Sequence, residues 1–456
     1  MNKKTFFAAT FLTLAACSSS PDHDVEVRDA TALDAGVTAI DSGGNLLDAA
    51  ANAADAEVDF LPAPPPGQGV QFKLVTTLGP GVEDRLCQFY QVPPEGLWVT
   101  KEEMRYRGGG HHSTTWKTSY TSIPTEDLHG NPVDLTHGPI SCDKDGVSGD
   151  WNIGDIIATG QAADFHTGTV SLPEGVAVHI PGNTVLITVG HFLNPGSTTA
   201  VAEARLNLWT TPPESVKVEA AIYQFYNPFI RVPAMGASSA RMSCPVPADV
   251  NIVNAQTHMH ARGVATTANV IEADGGTKPF YTGGYWDDVT VKAFSPPMLL
   301  SAGSTIDYRC DFENSKNSTV LQGPYASDEM CVISGFYYPV NTAFANCATD
   351  GVAAHYSNAA TYIGTGTATC VESLACVTAA APLAQDKGDQ LFGCMINSCP
   401  KVAKELTAAF NCMLSRGAGA CQAQCPAGAA PTLDCGKCVK AACSAQASAC
   451  AEATCN

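Results

Sequence analysis

The chain has 456 residues, a length that predicts two or three domains at roughly 100 to 200 residues each and excludes one small domain. Hydrophobic residues make up 45% and charged residues only 15%, enough apolar material for real cores and too little charge for a disordered chain. Asp plus Glu number 44 against 25 Lys plus Arg, so a nucleic-acid backbone would be repelled; 19 Cys with 40 Gly and 29 Pro describe an oxidised, loop-rich, exported β protein.

The first residues read as an export signal. Lys3 and Lys4 precede an apolar run from Phe6 to Leu14, too short to span a bilayer, and Leu14-Ala15-Ala16-Cys17 resembles the lipobox of bacterial lipoproteins. That resemblance implies cleavage after residue 16 and a lipidated Cys17 as the membrane anchor. Ser18, which is not an Asp retention signal, points to the outer membrane or cell surface. Residues 17–68 follow as an acidic Ala/Asp/Pro-rich tether, with Asp24, Asp29, Asp34, Asp41, Asp48 and Asp55 among small residues and a stiff run from Pro62 to Pro66.

From Val70 to about Cys347 the chain turns to short alternating segments rich in Val, Thr, Ile, Tyr and Phe, such as Val185 to Phe192 and Val216 to Tyr226. Pro, Gly, Asn and Asp punctuate them, which predicts antiparallel β sandwiches of jelly-roll type. The span is long for one sandwich, and the turn Asn194-Pro195-Gly196-Ser197 suggests a division into residues 69–200 and 201–350. A Gly/Ala/Thr-rich linker covers 351–369. Twelve Cys then fall in residues 370–456, where Val402, Leu406 and Phe410 recur every four residues, so a small disulfide-stapled helical domain is expected. No His accompanies those Cys to suggest a metal site, which leaves binding of another surface protein as the domain's expected role.

Chemistry has to be sought among eleven His. On a strand His258 and His260 point to the same side and present two imidazoles to one ion. Adjacent His111 and His112 would point to opposite sides of a regular strand. Both reach one metal only through a bulge or by using different ring nitrogens, which suits copper better than tetrahedral zinc. A zinc hydrolase built on His258 and His260 lacks a Glu between them as general base.

Four motifs occur in a telling order. His111-His112-Ser113-Thr114-Thr115-Trp116 precedes Leu186 to Phe192 with its His191. Thr257-His258-Met259-His260-Ala261-Arg262-Gly263 comes next, then Asp328-Glu329-Met330-Cys331 ahead of Phe336-Tyr337-Tyr338-Pro339. Over residues 69 to 350 this resembles the copper type II, ascorbate-dependent monooxygenases.

The resemblance implies two separated copper ions. His111, His112 and His191 would hold one in the first sandwich; His258, His260 and Met330 would hold the catalytic one in the second. Imidazoles suit both copper states and a thioether favours Cu(I), whereas on residue type alone Met330 would read as core filler. It implies an oxidoreductase that hydroxylates a C–H bond of a small-molecule or peptide substrate with O2 and ascorbate or another one-electron donor. The alternative is a copper-binding or structural lipoprotein that keeps the fold without turnover. Disulfides Cys310–Cys331 beside the Met ligand, Cys244–Cys347 and Cys87–Cys142 are implied too.

Where the peptidylglycine-hydroxylating enzyme of that family holds its substrate carboxylate with Arg, Asn and Tyr, this chain has Gln256, Val332 and Ser334. That substitution implies a less charged substrate, not a peptide ending in glycine, unless another cation such as Arg262 takes the role. His129, His137, His166, His179 and His355 match no ligand motif.

Overall fold

The computed structural model describes residues 60–135, 138–141, 147–161, 167–286, 289–323, 325, 327–345, 347, 360–380, 388–414, 419–425 and 432–456. The lipobox with Cys17, the tether as far as residue 59, Cys142, His137, His166 and His355 lie outside the described residues.

The protein is mainly β, with a small helical region at its C-terminal end. The first half contributes β1 (Gly69–Leu78), β2 (Glu83–Gln91), β3 (Leu97–Arg107), β4 (Gly110–Thr118), β5 (Ile140–Ser141), β6 (Ile153–Gln161), β7 (Thr167–Ser171), β8 (Val176–Ile180), β9 (Val185–Leu193) and β10 (Ala200–Thr210). The second contributes β11 (Val218–Tyr226), β12 (Arg231–Val232), β13 (Gly236–Pro245), β14 (Val250–His258), β15 (Gly263–Ile271), β16 (Thr277–Gly283), β17 (Lys292–Leu300), β18 (Thr305–Asn314), β19 (Val320–Leu321), β20 (Val332–Tyr338) and β21 (Thr361–Ile363).

Two five-stranded sheets, β5-β2-β9-β4-β6 and β16-β15-β18-β13-β21, each back one half of a nine-stranded sheet that runs β1-β10-β3-β8-β11-β20-β14-β17, with β7 added on β3. Alternation explains the facing: Met104 and Tyr106 of β3 are buried, while Arg105 and Arg107 between and beyond them are only partly covered. Leu74, Leu186, Phe192, Leu206 and Tyr106 fill the first core; Tyr223, Phe225, Ile252, Phe280, Tyr308 and Phe312 fill the second.

The strand pairing bears on how the β region divides. The turn at Asn194–Ser197 does not end the first sandwich. It leads into β10, which pairs in register with β1 and β3, so the chain crosses to the second half only after Thr210. Nor are the sandwiches closed off from each other, because β8 and β11 pair in parallel, Val176 opposite Val218 and Val178 opposite Ala220, and fuse both halves into one sheet. A parallel pair needs a long connection, and β9 with β10 supplies it.

Both ends of the folded part are tied down more than composition suggested. Phe60, expected in the free tether, is 3% exposed and lies beneath the guanidinium groups of Arg107 and Arg205, 4.8 and 4.7 Å from its ring centre. Asn207 Nδ2 donates to Pro62 O at 2.8 Å and holds the polyproline run against β10.

At the other end the expected linker contains β21, which pairs with β13 through Tyr362 opposite Met242. Helices α1 (Cys370–Ala380), α2 (Gly388–Ile396) and α3 (Ala403–Leu414) pack their apolar faces onto the second sandwich and share its core. Phe229 makes edge-to-face contacts with Tyr362, Phe392 and Phe410 at 4.5, 5.9 and 5.3 Å. Six disulfides staple this region: Cys370–Cys450, Cys376–Cys394, Cys399–Cys455, Cys412–Cys443, Cys421–Cys438 and Cys425–Cys435. Its α-helices also include Leu433–Ala442 and Ser444–Glu452.

Candidate metal centre

The hairpin from β3 to β4 turns at Gly108 and Gly109, both at positive φ; a Cβ on Gly109 would stand 2.0 Å from Leu193 O, so only glycine fits. Just past the turn Gly110 lies opposite Phe192 and His112 opposite His191, which makes His111 the extra residue of a β-bulge. That is the irregularity an adjacent His pair requires. The same register explains His191, which the sequence offers only as a lone His near a strand end: it faces His112 directly, ring centres 5.0 Å apart.

His191 is 2% exposed, and its Nε2 lies 2.7 Å from Glu83 Oε1. The carboxylate accepts there, so Nε2 carries the proton and Nδ1 the lone pair.

In the second sandwich His258 ends β14 opposite Val332 of β20. Met259 between the two His is fully buried and packs against Gly263, where a Cβ would come within 2.6 Å of the Met259 Cβ. His258 and His260 are thereby left together, ring centres 5.1 Å apart. His260 Nδ1 donates to Asp328 O at 3.2 Å, which leaves Nε2 the lone pair.

Glu329 ties the two loops together. It is 0% exposed and accepts from His260 N at 3.0 Å, Arg262 N at 2.7 Å and Met330 N at 3.3 Å, with Arg262 Nη1 3.7 Å away. Burial pushes its carboxyl up to about 7 against the pull of those N–H groups and of Arg262. Arg262 is 6% exposed and also donates to Asp328 O, so its cation belongs to this loop junction.

Half-buried Met330 sits directly before Cys331, which is bonded to Cys310 of β18. Cys244 is bonded to Cys347, and Cys87 is disulfide-bonded as well. The first two pairings are those the resemblance implies.

One arrangement differs from the expected pair of separated sites. The His112 ring is 4.6 Å from that of His258 and 6.5 Å from that of His260, so imidazoles of both sandwiches meet in one cluster across the seam. Among the described residues no three His, Cys, Asp or Glu side chains stand in finished geometry around one point. The donor set nonetheless fits copper: nitrogen donors from four rings, two tautomers fixed by oxygen acceptors, and a thioether on the adjoining loop.

The other residues singled out in the sequence take the following positions. Gln256 lies opposite Ser334 in the β14–β20 register, on the face that carries His258 and Val332; all three are buried, and Gln256 Nε2 donates to Thr159 O at 3.1 Å. His129 pairs with Asp150 at 3.3 Å and His179 stacks on Trp98 at 4.1 Å, both as structural contacts. The sequence does not mark Glu83 and Glu329 as supporting residues, because an acidic residue at a strand start or in a loop reads as surface. The one available signal is the position of Glu329 immediately before Met330.

Residues 229–360 match the family model described as copper type II ascorbate-dependent monooxygenase, C-terminal domain. The matched stretch contains His258, His260 and Met330, while His111, His112 and His191 precede it. No curated protein matches the chain. Among solved structures it is similar to a mutant VP2 protein of infectious bursal disease virus, at 10% identity over 63% of this chain and 74% of that one, with a TM-score of 0.15. It is also similar to Sulfolobus turreted icosahedral virus, at 7% identity over 58% and 91%, with a TM-score of 0.24. Likenesses that slight carry no conclusion.

Proposed function

We propose, from the premise that residues 229–360 are a C-terminal domain of the copper type II ascorbate-dependent monooxygenase family, that this protein hydroxylates a C–H bond using O2 and a one-electron donor such as ascorbate. The observation that carries the reading is the convergence of His258 and His260, inside the matched domain, with His112 and His191 of the other sandwich.

In this reading His111, His112 and His191 hold one copper, and His258, His260 and Met330 hold the second. Bound copper supplies the one-electron chemistry and the activation of O2 that no side chain provides. The protein's own part is positioning. Glu83 orients His191, the Asp328 carbonyl orients His260, and Glu329 joins the His260 and Met330 loops.

Gln256, Val332 and Ser334 present a face without charge beside His258, which favours a neutral or apolar substrate over a carboxylate held by an ion pair. The lipobox adds an exported lipoprotein, tethered through Cys17 at the outer membrane or cell surface.

Metal analysis tests the reading. We expect two coppers per chain, one lost in the His258→Ala/His260→Ala double variant and the other in His111→Ala/His112→Ala. Wild-type protein that retains zinc, or only one copper, would sink it. Met330→Ile should keep the fold, weaken Cu(I) binding at the second site and abolish turnover, since a hydrocarbon donates no lone pair; full oxygen uptake by that variant would make Met330 mere packing. Two bound coppers without any ascorbate-driven oxygen uptake would leave the non-catalytic, copper-binding alternative.

A further inference from the structure

At the seam between the sandwiches lies a partly open cavity lined by Glu102, Tyr106, Thr159 and Gly160 from one side and Gln256 and Val291 from the other. Its interior is about 10 Å³, room for one water-sized group. Glu102 shares the inner face of β3 with Met104 and Tyr106 and is 5% exposed, and its Oε2 has no hydrogen-bond partner among the described residues. Carboxyls in such places are rare and costly, so a role is expected of them.

The cavity walls connect to both histidine strands. Gly160 lies opposite Ser113, the residue after His112, and the Tyr106 hydroxyl accepts from Ser113 N at 2.9 Å and donates to Gly160 O at 2.8 Å. Across the seam Gln256 stands two residues before His258 on the same face of β14.

We propose that Glu102 is the proton-holding residue of this protein, a buried carboxylic acid that passes protons through the cavity to the histidine-lined face. The inference rests on the function proposed above. In that reaction a C–H bond and the O–O bond break, a C–O–H group forms, and the second oxygen leaves as water. Two electrons come from two equivalents of the one-electron donor, and two protons are consumed. Glu102 delivers a proton to the oxygen that leaves as water and is reprotonated from solvent, so its own state is restored each cycle.

Burial alone raises the Glu102 carboxyl to about 8, which keeps the proton on it at neutral pH. Tyr106 is the other titratable group lining the cavity; burial holds its hydroxyl well above the usual range, and the facing residues Leu208 of β10 and Val170 of β7 carry no charge.

The copper-loaded full chain is tested with ascorbate, O2 and ethylbenzene as a neutral C–H probe against Glu102→Gln. Wild-type oxygen uptake is expected to fall as the pH rises through about 8, and the variant to lose about 100-fold at pH 7 along with that inflection. In the metal-free protein, the infrared difference between wild type and variant, which cancels Glu329 and every other carboxyl, should isolate a protonated-carboxyl band that is present at pH 7 and lost as the pH rises through about 8.

Stability gives a third readout. With its carboxyl raised from 4.5 to about 8, the Glu102 contribution is fully present below about 4.5 and is lost as the pH rises from there through about 8, so the melting temperature of wild type should fall relative to Glu102→Gln across that window and keep a constant offset above it. An unchanged pH profile of uptake in the variant, or no protonated band in that difference, overturns the inference while leaving the copper reading intact. Absence of uptake by wild type overturns the hydroxylation reading, and this inference with it.

Discussion

Alanine in place of Glu329 is expected to cost about 3 to 5 kcal/mol of folding stability and to abolish copper binding at the His258, His260 and Met330 site. The carboxylate has no exposed surface and satisfies three backbone N–H groups while facing the buried Arg262 guanidinium. Removing it strands all of them at once in a low-dielectric interior, where each unmet donor costs about 1 to 3 kcal/mol. Glu329→Gln retains one acceptor oxygen and the volume, so it should lose less than half as much. Denaturant unfolding with copper titration of the same samples decides the matter. A loss below about 1 kcal/mol for the alanine variant would mean that the two loops are held by the Cys310–Cys331 bond and strand pairing alone.

Deleting residues 360–456 should leave the second sandwich unable to fold to a soluble, cooperative unit. The deletion bares the edge of β13 that β21 covers and strips Phe229 of Tyr362, Phe392 and Phe410. A milder probe is Phe229→Ala in the full chain, which is expected to cost about 3 to 5 kcal/mol by opening a cavity at the joint. A deletion variant that melts cooperatively at the wild-type temperature would show the helical region to be an independent appendage, as its composition suggests.

Much of the site was legible because its chemistry is written in residue types at short spacing. His258 and His260 alternate in sequence, although the strand itself ends at His258 and His260 lies two residues beyond it, and Met330 sits in a four-residue context with Cys331. Long-range facts were not legible. His191 acquires its meaning from its register with His112, a pairing between residues 79 positions apart in sequence. The meeting of His112 with His258 depends on how the sandwiches join, and no local pattern encodes the parallel pairing of β8 with β11. Tyr362 lies in a three-residue strand, too short to register against a Gly/Thr background. Phe60 was lost among small residues because its partners Arg105, Arg107 and Arg205 are far away in the chain. Glu102 is in the buried register of β3, where one acidic residue amid Lys101, Glu103 and Arg105 looks like part of an exposed charged face.

The ladder between β8 and β11 also fixes what kind of motion the molecule can make. A flexible linker would let the halves swing apart freely, but here separation means tearing main-chain hydrogen bonds, each worth about 1 kcal/mol with its neighbours shielded from water. The cheap deformation of a sheet is a change of twist, spread over many strands. Whatever relative movement the two halves make is therefore confined to the twist of the sheet they share, with β8 and β11 held together along it.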